Sequence, residues 1–223
     1  MLTGGEAMKE VLPGLFQWRI VWPEVWSLES WWLRTEAGSV LIDPVEWSAL
    51  QPIAEAGDVR AIVLTVGWHE RSARLFAART GAPIYLPAED ACMVEDLDRW
   101  EPYGDGDELP CGLRAVGVPG LTRGEQALLS PRHGGLLFVG DALGTTAKWA
   151  PGGIPLGGHP NGHPRPWESL SHLLDLDFES LLPGHGDPIV GGARETLREM
   201  MEERRSTSTG PPRVTWFPKD RAP

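Results

Sequence analysis

The stretch that most constrains the fold is Ala61-Ile62-Val63-Leu64-Thr65, a short apolar run that breaks into Val66-Gly67-Trp68-His69-Glu70-Arg71. A run of this length bounded by a polar break reads as a buried strand. Ser72 to Thr80 then carries Ala73, Phe76 and Ala77 at helical spacing, with Gly81 where a helix stops. Ile84-Tyr85-Leu86 is the next apolar run. Strand, helix and strand in this order predict a right-handed crossover.

Around this unit the chain reads as strands first and mixed structure afterwards. Residues 1–10 give no strong signal and are expected to be a loose end. Phe16, Trp18, Ile20 and Trp22 alternate with Gln17 and Arg19, and a second alternation runs through Trp26, Leu28, Trp31 and Leu33, as in half-buried strands. Ser39 to Pro44 is a short buried strand ending at Asp43. Helical stretches are expected at 48–56, 88–100, 166–175 and 193–205, the second with its acidic residues on a solvated face. Further strands are expected at Leu113–Val118, Ala127–Leu129, Leu136–Val139 and Phe178–Leu182. The second and third of these form a hairpin across His133-Gly134-Gly135. The third runs into Gly140-Asp141, and the last into Pro183-Gly184-His185-Gly186-Asp187. Residues 144–166, rich in glycine and proline, are a long loop of the kind that often carries function. The expected organisation is one domain over residues 11–205, with a mobile tail over 206–223.

Six tryptophans, Trp18, Trp22, Trp26, Trp31, Trp32 and Trp47, fall in the first 50 residues. Core packing accounts for most of them. Trp31 and Trp32 are adjacent and point to opposite faces of a strand, so one of them is expected outside the local core, in a ligand pocket or a subunit interface.

A formal net charge of -11, from 20 basic and 31 acidic residues with no long basic cluster, argues against a nucleic-acid backbone or an anionic membrane as the main partner. A small molecule or a protein is the easier partner, and a homo-oligomer is compatible with the tryptophans. No run approaches the roughly 18 apolar residues of a membrane span, and Glu6 and Glu10 stand where a secretory signal would be apolar. The expected location is cytoplasmic. Cys92 and Cys111 form no metal-binding pair and no disulfide framework.

Asp43, the Thr65–Arg71 segment, Asp141 and His185 end four separate strands and are expected to converge on one edge of a layered sheet. In these contexts the chain resembles the metallo-β-lactamase fold superfamily over roughly residues 10–205. The resemblance rests on Leu41-Ile42-Asp43, Ile62-Val63-Leu64-Thr65, Val118-Pro119-Gly120-Leu121-Thr122, Leu137-Phe138-Val139-Gly140-Asp141 and Leu182-Pro183-Gly184-His185-Gly186. It implies an α/β fold, an αββα sandwich of two mixed sheets flanked by helices. It also implies metal ligands from a His-x-His-x-Asp-His motif, a Pro-Gly-His-Thr histidine, an aspartate and a last histidine. Position by position, the motif reads Val66, Trp68, Glu70 and Arg71, and the Pro-Gly-His-Thr histidine is Leu121. Only Asp141 and His185 keep the family's residues, with Asp43 as a buried anchor behind the site.

Val66, Trp68 and Leu121 cannot bind zinc, so the three-histidine half of a two-metal centre is lost. Two outcomes compete for the other half. In one, a single zinc or manganese ion is held by Glu70, Asp141 and His185, with Arg71 turned to solvent. In the other, preferred here, no metal is bound and Arg71 supplies the positive charge that the facing carboxylates require. His69 is out of step with the motif and reads as a hydrogen-bonded histidine, or else as a rebuilt ligand or base. His159 and His163, separated by proline, belong to the long loop and are candidates to contribute from above the cleft. The preferred function is non-hydrolytic binding of a ligand or partner in the old cleft. The alternatives are a mononuclear metal-dependent hydrolase of esters, thioesters or lactones, and a structural subunit of an oligomer.

Overall fold

The structure, a computed structural model, describes residues 5–22, 26–46, 49–95, 100–145 and 170–207. Seven strands form the first sheet in sequence order: β1 (Gly5–Leu12), β2 (Leu15–Trp22), β3 (Trp26–Thr35), β4 (Gly38–Ile42), β5 (Val59–Val63), β6 (Ile84–Pro87) and β7 (Trp100–Tyr103). The first four are antiparallel neighbours, and β4 to β7 are parallel. The second sheet holds β8 (Glu108–Leu109), β9 (Leu113–Gly117), β10 (Gln126–Ser130), β11 (Leu136–Gly140), β12 (Ser180–Pro183) and β13 (Ile189–Val190), ordered β13-β12-β11-β10-β9-β8. Here only β11 and β12 run parallel. Both sheets are therefore mixed, as expected.

Strand alternation builds the layers. Val40, Ile42, Ala61 and Val63 face Leu136, Phe138 and Leu182 in the core between the sheets. Their neighbours Leu41 and Ile62 pack under helices α1 (Leu50–Ala56) and α2 (Ala73–Thr80), with Ile53 and Phe76. Leu137 and Val139 pack against Ala193, Leu197 and Met201 of α3 (Ala193–Thr207). Each central strand thus buries both faces, which is why its sequence is continuously apolar rather than alternating. Among the described residues no helix is long and apolar enough to cross a membrane.

Three expectations are corrected. Residues 5–10 are not loose: they belong to β1, an edge strand whose Glu6, Lys9 and Glu10 suit an exposed rim. Trp31 and Trp32 are both buried, because both faces of the sheet are covered. Trp31 lies against Phe138 between the sheets, and Trp32 lies on the helix side. Among the described residues, the acidic stretch from Ala88 forms a short 3-10 turn, Ala88–Met93, rather than an α-helix, and Asp90 in it is buried. Of the helix expected over 166–175, the described part is a 3-10 helix, Ser171–Asp175, with Leu170 and Leu173 buried; its first residues, the loop histidines His159 and His163, and most of the tail lie outside the described residues.

Candidate metal centre

Asp43 follows β4, Thr65 follows β5, Asp141 follows β11 and His185 follows β12. These are the carboxyl ends of one parallel pair in each sheet, where side chains from neighbouring strands meet. Two glycines permit the approach. Gly140 has φ +51, and a Cβ there would run into Thr65 Oγ1. A Cβ at Gly184 would lie 2.7 Å from the Gly140 carbonyl oxygen.

His69, Asp141 and His185 come together, each about 3–4 % exposed, with one ligand atom apiece within 4.8 Å of the others. The Nε2 atoms of both histidines lie 2.9 Å from Asp141 Oδ1. The opposite edges of the rings are fixed. His185 Nδ1 donates to the Ser27 carbonyl at 2.6 Å, and His69 Nδ1 lies 3.0 Å from Asp43 Oδ2. Arg71 donates to His69 Nε2 at 2.8 Å, so the His69 proton belongs on Nδ1, toward Asp43. An imidazole whose Nδ1–H is held by a carbonyl or carboxylate presents Nε2 as a ligand. Asp43 is itself anchored by the Thr65 amide at 2.9 Å and the Thr65 hydroxyl at 2.6 Å. Its φ of 48° is a strained conformation for a residue other than glycine.

Two donors that the family does not place here reach the cluster. The Trp68 indole N–H donates to Asp141 Oδ2 at 2.7 Å. The Arg71 guanidinium also donates to the backbone carbonyls of Glu29 at 2.9 Å and Asp43 at 3.1 Å. Glu70 does not join: it pairs with Arg74 one helical turn on. The trio Glu70, Asp141 and His185 is therefore corrected to His69, Asp141 and His185. The reason is local backbone geometry. Gly67–Glu70 is a 3-10 turn and Arg71 has φ 41°, so the chain bends and residue 69, not 70, points into the cleft. Val66 and Leu121 are buried and apolar, as the loss of the three-histidine half requires.

Burial would raise the Asp141 carboxyl, but the imidazoles of His69 and His185 overcome it and hold it well below the usual carboxylate range. Asp43 is likewise lowered against burial, by His69 and Arg71. Burial and Arg71 pull His69 down, whereas Asp141 and Asp43 push it up and prevail. The same oxygen that faces both histidines, Asp141 Oδ1, is buried and receives no well-directed hydrogen bond among the described residues. Two imidazole nitrogens at 2.9 Å from one buried carboxylate oxygen form a nitrogen and oxygen donor set of the kind that holds a cation. The donor set thus fits one metal ion, on condition that Arg71 releases His69 Nε2.

Sequence reasoning did not find the supporting layer. Glu29 on β3 is fully buried. It accepts from Gln17 at 2.7 Å and Ser27 at 2.5 Å, and its backbone amide donates to the Gly184 carbonyl at 2.9 Å, clamping the His185 turn. Burial raises its carboxyl, against the pull of Ser27 and Arg19. Asp90 ties three segments by accepting from the Gly67 and Gly124 amides, each at 3.0 Å, and from the Thr122 hydroxyl at 2.8 Å. Asp187, two residues beyond His185, pairs with Arg19 at 2.7 Å. No signal in the local sequence marks Asp90 or Glu29, since apart from Ser27 their partners are distant in the chain.

The sequence profile described as metallo-beta-lactamase superfamily matches residues 10–148, more than half of the chain, and the chain belongs to that superfamily. No curated protein matches it significantly. Solved structures of similar fold include the DIM-1 metallo-beta-lactamase, with a TM-score of 0.69 and 14% identity, covering 91% of this chain and 98% of that one. TTHA1623 in a di-iron-bound form gives a TM-score of 0.64 and 22% identity, with coverage of 86% and 98%. The Flv1 flavodiiron core from Synechocystis sp. PCC6803 gives 0.63 and 13%, with coverage of 90% and 62%.

Proposed function

We propose that this chain is a one-metal member of the superfamily that binds a small ligand at its cleft and does not perform two-metal hydrolysis. The observation that carries the reading is the convergence of His69, Asp141 and His185 beside positions filled by Val66, Trp68 and Leu121. His69 and His185 would hold the ion through Nε2 and Asp141 through Oδ1, with zinc or manganese suited to this nitrogen and oxygen set. A bound ion of this kind acts as a Lewis acid toward a carbonyl or anionic oxygen. Around it Asp43 fixes the His69 ring, Ser27 fixes the His185 ring, and Trp68 holds Asp141 by its second oxygen. Both carboxylates of the cluster are thereby engaged, which leaves neither in place to take a proton from attacking water.

A second reading, a mononuclear hydrolase of esters, thioesters or lactones, is favoured by the ligand count, since three protein ligands plus an open position is the usual catalytic zinc arrangement. Turnover of an ester and thioester panel by metal-loaded protein separates the two. No turnover, with one ion bound per chain, supports ligand binding. Turnover that disappears in His185→Ala and on chelation supports the hydrolase.

A further inference from the structure

Arg71 is the residue in the cleft that a metal centre does not need. Its Nη2 lies 2.8 Å from His69 Nε2, the nitrogen turned to Asp141, while Nη1 is tethered to the carbonyls of Glu29 and Asp43. An arginine is a donor only and stays protonated, so this contact consumes the lone pair that a metal would take. Charge points the same way. With both imidazoles neutral, the form in which they ligate, Asp43 and Asp141 with Arg71 leave one net negative charge. A divalent ion added beside the guanidinium would make the buried cluster positive, whereas an ion with the guanidinium withdrawn makes it neutral. A neutral buried cluster is the cheaper arrangement.

We infer that Arg71 is an internal competitor for the metal: its guanidinium and a divalent ion occupy the His69 Nε2 position alternately, so the side chain sets the affinity of the site. The inference rests on the one-metal reading above. The backbone agrees with a residue held by its contacts rather than by its own preference, since Arg71 keeps φ 41°. That conformation persists only where the surroundings enforce it.

The test is titration of metal-free protein with zinc, and separately with manganese, followed by calorimetry or chelator competition, for the wild type, Arg71→Gln and Arg71→Gly. Glycine at 71 accepts the positive φ, so it serves if the glutamine variant folds poorly. The inference expects both variants to bind one ion about tenfold or more tighter than the wild type, and to be less stable than the wild type when metal-free. Equal or weaker binding by the variants, with the wild type still binding one ion, overturns the competition and leaves the one-metal reading intact. Absence of stoichiometric binding in all three overturns both.

Discussion

Asp141 and Glu125 are both buried carboxyls at the cleft, and their environments drive them in opposite directions. Asp141 faces two imidazoles and is held well below the usual range. Glu125 lies in the Leu121–Glu125 turn, in the half where the family carries a histidine and this chain carries Leu121. It accepts only the Leu121 amide, at 2.9 Å through Oε2, and its Oε1 is buried without a hydrogen-bond partner among the described residues. Burial and the charge of Asp141 push its carboxyl well above the ordinary glutamate value. One half of the old centre thus keeps a charge and the partners that stabilise it. The other half has become apolar around an acid that resists ionising. Burial alone therefore says little about a carboxyl; the cations around it decide its state.

The largest effect should come from breaking the charged half. Asp43→Ala leaves His69 Nδ1–H, the Thr65 amide and the Thr65 hydroxyl without their acceptor and Arg71 with less compensation. Loss of about 3–5 kcal/mol in urea unfolding is expected. Next, His185→Ala removes one of the three proposed ligands. Zinc affinity should fall by about a hundredfold or more, read by chelator competition, while Glu70→Gln leaves it unchanged within about twofold.

A smaller effect tests the other half. Glu125 has a raised folded-state pKa, so its contribution to stability is complete below the unfolded value and is lost as pH rises through the folded one. Glu125→Gln, which imitates the protonated acid, should match the wild type near pH 4–5 and exceed it increasingly above. A gap of about 1–3 kcal/mol by pH 8 is expected from urea midpoints. Asp141 has the opposite sign: its lowered pKa contributes above the unfolded value and is lost only as pH falls through the folded one. The smallest effect is expected for Trp68→Phe, which deletes the indole N–H on Asp141 Oδ2. A cost of about 1 kcal/mol in metal-free stability, measured by thermal unfolding, is expected.

Much of the fold can be read from the residues because the strands alternate and the central ones are apolar throughout. Asp43, Asp141 and His185 were found for the same reason: each ends a strand, and strand ends are fixed by periodicity. In the sequence His69 reads as a hydrogen-bonded histidine or a rebuilt ligand or base, and the motif alignment points to Glu70 instead. Which of the two points inward depends on the 3-10 turn at Gly67–Glu70 and the reversal at Arg71, which spacing does not encode. Asp90 looked like part of a solvated acidic face. Its burial follows from amides and a hydroxyl more than twenty residues away, including Thr122 and Gly124. Adjacent Trp31 and Trp32 are both buried because helices cover one face of the first sheet and the second sheet covers the other, which no local pattern encodes.

The central claim is a single cation between His69, Asp141 and His185. Native mass spectrometry of zinc-loaded and manganese-loaded protein, beside Asp141→Asn treated identically, tests it most directly. One ion per chain in the wild type and none in the variant is the predicted result. Two ions per chain, or one ion retained by Asp141→Asn, would contradict it.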